Sequence, residues 1–142
     1  MTTNKCTDDL QQELMEAADL SQFIEDNADK FTRENIADAL NGLFLNKEIS
    51  KANLAKNAGM SEVYLHQVFA GHRNPSRNRL LCLCFGMEAT LEETQLLLKQ
   101  CGYAQLYPRK KRDAVVIYGL LHGMTLFEVN DKLFLENEDT LF

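Results

Sequence analysis

An all-α fold is what this sequence predicts, and three observations carry that expectation. Glycine numbers 7 and proline 2 in 142 residues, too few turn-makers for a protein of many short strands and hairpins. Apolar residues recur at spacings of three and four along most of the chain, the period of helices with one buried face. Ser or Thr precedes several of these runs, twice with Glu three positions later, the pattern that satisfies the first backbone N–H groups of a helix. The expected organisation is one body: an acidic N-terminal helical extension over residues 1–31, a central five-helix unit over 32–104, and a C-terminal helical hairpin over 105–142.

From Asp8 to Asp29, Leu10, Leu14, Ala17, Ala18, Leu20, Phe23 and Ile24 mark one or two amphipathic helices on an acidic background. Thr32 is placed to cap the next helix, with apolar residues Ile36, Ala37, Leu40, Leu43 and Phe44 and Asn46 near its end. Ser50 opens a short helix through Leu54, Ala55 and Ala58, closed by Gly59, the residue best suited to the left-handed conformation. Ser61 caps the helix that ends before Gly71. Pro75-Ser76 starts another, in which Leu80 to Met87 are apolar nearly all round, as in a helix buried among others. Thr90 and Glu93 have capping-box spacing for a helix running to Gly102, and Thr125 and Glu128 for the last one. Between them, Pro108 begins a helix from Arg109 to about His122, closed by Gly123. The run Ala114 to Tyr118 has strand propensity, but an isolated strand would have nothing to pair with, so it is read as helical.

At 16.2 kDa, with 45% hydrophobic and 25% charged residues, the composition is that of an ordinary globular chain. No stretch approaches the roughly 20 apolar residues of a transmembrane helix. Lys5-Cys6-Thr7-Asp8-Asp9 precedes any apolar segment, which is wrong for a secretory signal. A cytoplasmic location without membrane contact is expected. Cys6, Cys82, Cys84 and Cys101 lack C-x-x-C spacing and read as reduced thiols, so no metal and no cofactor is assigned. No phosphate-cradling glycine loop and no Ser-His-Asp, Cys-His or zinc constellation is present, which argues against an enzyme.

The formal net charge of −6 speaks at first against a nucleic-acid partner, since phosphate contacts supply much of such affinity. The average conceals a pattern. Residues 1–40 carry 3 basic and 10 acidic groups, residues 41–112 carry 11 and 5, and residues 113–142 carry 1 and 6. A basic middle lies between acidic flanks, and the local charge is what a duplex meets.

Within that middle, Ser50 to Ser61 followed by Gly71-His72-Arg73-Asn74-Pro75-Ser76 lays out two short helices joined by a glycine turn. A DNA-binding helix-turn-helix needs this layout, with the first helix crossing the backbone and the second lying in the major groove. Leu54-Ala55, the turn Ala58-Gly59-Met60-Ser61, the core positions Leu65 and Val68, and the trailing Gly71 to Ser76 together resemble the XRE-like family, the Cro and lambda-repressor type. The resemblance covers residues from about 33 to 102, half of the chain. It implies a five-helix lambda-repressor-like domain with its recognition helix at about residues 61–70.

The resemblance also implies roles. Lys51, second in its helix counting the cap, would touch a phosphate, as would Arg73, Arg77 and Arg79 along the loop and helix start that follow. Base edges would be read from Glu62, Val63 and Gln67. At about 100° per residue, with Ser61 at zero, Glu62, His66, Val63 and Gln67 fall between about 100° and 240°, and Tyr64, Leu65, Val68 and Phe69 in the complementary arc. Gln67 suits adenine, Glu62 a cytosine amino group and Val63 a thymine methyl, with His66 beside them. Tyr64 is expected to pack its ring inward with its hydroxyl wet. Arg109, Lys110, Lys111 and Arg112 form a second basic cluster at a helix start, where cations oppose the helix dipole. An external anion, a solvated face or an intramolecular pairing with the acidic tail Glu136 to Asp139 would accommodate them. The expected function is a bacterial-type, sequence-specific regulator of transcription that binds double-stranded DNA, with terminal helices as the surface for a homodimer. The alternative is a protein-interaction adaptor on the same scaffold, which uses its acidic terminal helices on a protein partner and does not bind DNA.

Overall fold

A computed structural model describes residues 7–27 and 35–142. The described residues are all-helical, with nine α-helices and no strand. The chain divides into two compact units, Met1–Arg33 and Glu34–Phe142. The C-terminal helices therefore belong to the same unit as the central ones.

In the first unit, α1 (Thr7–Glu16) and α2 (Leu20–Asp26) resolve the N-terminal segment into two helices. The break falls where the Asp19 carboxylate accepts from the Ser21 N–H at 3.0 Å and caps α2, since a short acidic side chain competes with helical backbone pairing. The Asn27 amide donates to the Phe23 carbonyl and to Glu13, both at 3.1 Å, joining the end of α2 to α1.

The second unit contains α3 (Ile36–Phe44), α4 (Lys51–Asn57), α5 (Glu62–Phe69), α6 (Arg77–Gly86), α7 (Leu91–Gln100), α8 (Lys111–Leu121) and α9 (Leu126–Leu135). The first of these is capped by Asn35, whose side chain accepts from the Asp38 N–H. Thr32, the cap expected from sequence, lies outside the described residues. Ser50, Ser61 and Ser76 cap α4, α5 and α6 by accepting from the third residue on. Both expected capping boxes form, Thr90 with Glu93 and Thr125 with Glu128.

α6 is the centre of the unit. Every residue from Leu80 to Met87 is buried, and the helix packs against α4, α7 and α9. At roughly 1.5–3 kcal/mol for each large apolar side chain removed from water, this segment is the largest local source of hydrophobic stabilisation. Burial pushes the Cys82 thiol up to about 11 and the Cys84 thiol up to about 12, because a thiolate would lose its hydration there. Around this centre, α3 meets α5 and α7, α4 meets α5, and α8 meets α7 and α9. Gly119 permits the close approach of α8: a Cβ there would lie 2.3 Å from Val129 Cγ2 and 3.3 Å from the Phe85 ring.

α8 begins at Lys111 rather than at Arg109. Residues 107–110 instead form a turn, with the Lys110 N–H on the Tyr107 carbonyl at 3.0 Å. The Asp113 carboxylate accepts from the Tyr107 N–H at 3.0 Å and holds that turn against the helix start. Beyond α9, residues 136–142 run back over the unit. The Leu141 N–H donates to Asn130 at 2.7 Å, Leu141 is buried, and the Phe142 ring sits over Gly59, whose φ is +67°.

Two stability predictions follow from this packing. Gly119→Ala gains roughly 0.5–1 kcal/mol of helix propensity, but overpacking against a β-branched side chain costs about 1–3 kcal/mol. A net loss of about 1 kcal/mol, or about 3 °C in melting temperature, is expected by calorimetry; an unchanged or raised melting point would show that α8 and α9 separate freely. The second concerns Glu93, whose carboxylate accepts from Lys47 Nζ at 2.8 Å and from the Thr90 N–H at 2.9 Å. These bonds, Lys47 first, hold its carboxyl below the ordinary carboxylate range. Its stabilising contribution is complete above the unfolded value and is lost as pH falls through the lower folded one. Urea midpoints of the wild type should therefore fall further than those of Glu93→Gln between about pH 5 and pH 3, and parallel curves would remove this pair from the acid response.

Candidate nucleic-acid interface

The site is built on α5. Ser61 sets its start by accepting from the Tyr64 N–H at 3.1 Å, and the preceding turn closes on Gly59 in the left-handed region. Leu65, Val68 and Phe69 are buried and Tyr64 is half-buried. Glu62, Val63 and His66 are exposed, Val63 at 69%, and Gln67 is half-exposed. The four residues expected to face a groove thus form one open arc of a helix whose other arc is core.

Cations border this arc on both sides. Lys51, the first residue of α4, places its ammonium 5.3 Å from the centre of the Phe69 ring. Arg73, in the loop after α5, and Arg79, in the first turn of α6, place their guanidinium carbons 5.9 Å and 5.4 Å from the centre of the Tyr64 ring. On a wheel of about 100° per residue, Phe69 and Tyr64 stand at the two margins of the open arc. Lys51 therefore lies along one margin and the two arginines along the other. Among the described residues, none of the three has a carboxylate within ion-pairing distance. These charges remain available to an anion from outside.

Arg77 does not join them. Its guanidinium donates to the Ala104 carbonyl at 2.9 Å, to the Gln105 carbonyl at 3.3 Å, and to both oxygens of Asp113 at 3.5 and 3.3 Å. Asp113 is buried, and Arg77 is the charge that balances it. The phosphate role expected of Arg77 is therefore replaced by an internal one. Two residues apart on a helix point about 200° from each other, so Arg77 turns to the 104–113 segment while Arg79 turns to α5.

The second basic cluster divides in the same way. Arg112 donates to the carbonyls of Asp139 and Thr140 and to the Asn78 side chain, at 2.8, 3.1 and 3.1 Å. Lys111 donates to the Glu136 carbonyl at 2.9 Å and lies 3.5 Å from its carboxylate. The returning tail thus supplies the compensation expected at this helix start, with backbone oxygens as well as Glu136. Arg109 and Lys110 are exposed and have no ion pair among the described residues. Sequence reasoning anticipated a tail partner for this cluster but not that carbonyls would serve Arg112. Phe69 and Tyr64 as supports for the marginal cations were also missed; their positions at the boundary between arcs were the available signal.

Among the described residues, no group of three or more His, Cys, Asp or Glu could hold a metal ion. No helix among them is long and apolar enough to cross a membrane. No family model, no curated protein and no solved structure matches this chain.

Removing the internal cation should affect folding first. Arg77→Ala leaves Asp113 buried with fewer hydrogen bonds and is expected to cost about 2–3 kcal/mol by urea titration, whereas Arg73→Ala, at an exposed position, should change stability by less than about 0.5 kcal/mol. Equal stabilities for the two variants would contradict the division of roles.

Proposed function

We propose that the protein is a sequence-specific double-stranded DNA-binding regulator of transcription, built on a helix-turn-helix. In this reading α3 to α7 are the five helices of a lambda-repressor-like domain, α4 crosses the DNA backbone, and α5 enters the major groove. Glu62, Val63, His66 and Gln67 read base edges, and Lys51, Arg73 and Arg79 hold phosphates. The observation that carries this reading is the open arc of α5 with unpaired cations along both margins. A groove presents base edges between two phosphate rails, and the arrangement of one neutral-to-acidic arc between basic margins matches that order.

The formal charge of the whole chain does not oppose this. The acidic groups are concentrated in residues 1–40 and 113–142, and in the C-terminal segment Asp113 and Glu136 are engaged with Arg77 and Lys111. Pairing of two copies on a palindromic site fits the family type, and α8 and α9 carry the exposed apolar side chains Tyr118, Leu121, Phe134 and Leu135 that such pairing would use. A protein-interaction adaptor is the second reading. It is favoured by the acidic first unit, which exposes Leu14 and Met15 on α1 and Leu20 and Ile24 on α2.

Binding of a random-sequence duplex and of a sequence selected from a randomised library separates the two. Arg73→Ala or Lys51→Ala is expected to weaken both complexes about tenfold and to make the dependence of log affinity on log salt shallower by about one. Gln67→Ala should cost about 1–3 kcal/mol on the selected sequence and little on the random one. Absence of any duplex complex at low ionic strength would sink the regulator reading and leave the adaptor.

A further inference from the structure

We propose that Tyr64 is a positioning residue, an aromatic platform that holds Arg73 and Arg79 together as one phosphate clamp; this rests on the DNA-binding reading above. Three observations converge on it. The two guanidiniums come from different elements, a loop and a helix start, yet both lie within 6 Å of the same ring centre, the range in which a ring face attracts a cation. The Tyr64 side chain is itself fixed, because α5 anchors it beside buried Leu65 and Val68 and it packs against the core. Its hydroxyl has no hydrogen-bond partner among the described residues, so the ring is the part of the side chain in use.

The physical consequence is twofold. A free arginine samples many rotamers and loses that freedom when it grips an anion. Held over a rigid ring, it has already lost part of it, so the contact forms with less entropic opposition. Gathering two like charges around one ring also raises their mutual repulsion, and among the described residues no carboxylate lies within ion-pairing distance of either. An anion between or across them removes that repulsion. The pair is therefore poised for a phosphodiester.

The test uses the full-length chain, a random-sequence duplex of about 30 base pairs, and the variants Tyr64→Phe and Tyr64→Leu, with thermal melting to establish that each is folded. Tyr64→Phe keeps the ring and should bind within twofold of the wild type. Tyr64→Leu keeps apolar bulk without a π face and should lose about five- to tenfold in affinity with a shallower salt dependence. In an Arg73→Ala, Arg79→Ala background the same Tyr64→Leu change should have no further effect, because it acts through those side chains. A full loss retained in that background, or Tyr64→Leu binding as tightly as the wild type, overturns the platform.

A second readout needs no DNA. The Nε–H signals of Arg73 and Arg79 in proton–nitrogen correlation spectra should shift in Tyr64→Leu and stay in place in Tyr64→Phe. Unmoved signals in both variants overturn the platform whatever the duplex result. Shifted signals with no duplex binding by the wild type leave the stacking intact and refute the DNA reading, and with it the clamp.

Discussion

A helix without a solvent-facing side has to be surrounded, and α6 imposes that constraint on the whole second unit. From Leu80 onward all of its residues are buried, and α4, α7 and α9 are packed against it. Only its first turn, Arg77 to Arg79, is partly open. The polar end of the most buried element is thereby fixed beside α5 on one side and beside the 104–113 segment on the other. Each cation in that turn is held by whichever neighbour it meets, a carboxylate and two carbonyls for Arg77, a tyrosine ring for Arg79.

The contrast between these two arginines marks where the sequence is readable and where it is not. Capping by Ser50, Ser61, Thr90 and Thr125 is local chemistry, decided within four residues, and each cap lies where the sequence places it; Ser76, read from sequence as the start of its helix, is that helix's cap. The two arcs of α5 follow from helical period alone. Arg77 and Arg79 carry identical chemistry two positions apart, and telling them apart requires knowing what lies on each side of α6. Nothing within several residues of Arg77 announces that Asp113, 36 positions on, will be buried beside it. The helix start at Lys111 has the same origin: Pro108 fits a first helical turn by propensity, but Asp113 reaches back to Tyr107 and keeps residues 107–110 as a turn.

Charge is distributed by role rather than by amount. Arg77, Lys111 and Arg112 neutralise oxygens within the second unit, so the raw count of basic residues in the middle of the chain overstates what an outside anion meets. Lys51, Arg73 and Arg79 remain open, and so do Lys56, Lys99, Arg109, Lys110 and Lys132 elsewhere on the unit. What distinguishes the first three is support. Each rests on an aromatic side chain of α5, so their placement depends on that helix being folded and seated. The candidate site is for this reason a property of tertiary packing, although every member of it is visible in the sequence.

The thiols of α6 give the protein a built-in chemical clock. Cys84 is enclosed by the surrounding helices and Cys82 also by the returning tail, its thiol 3.8 Å from the Leu141 carbonyl, and their protonated state makes both poor nucleophiles while they are enclosed. Alkylation of Cys84 consequently times the opening of the hub itself, and that of Cys82 registers lifting of the tail as well, without any dye, tag or engineered label. Fraying of the C-terminal tail would advance the Cys82 reading and leave that of Cys84 untouched.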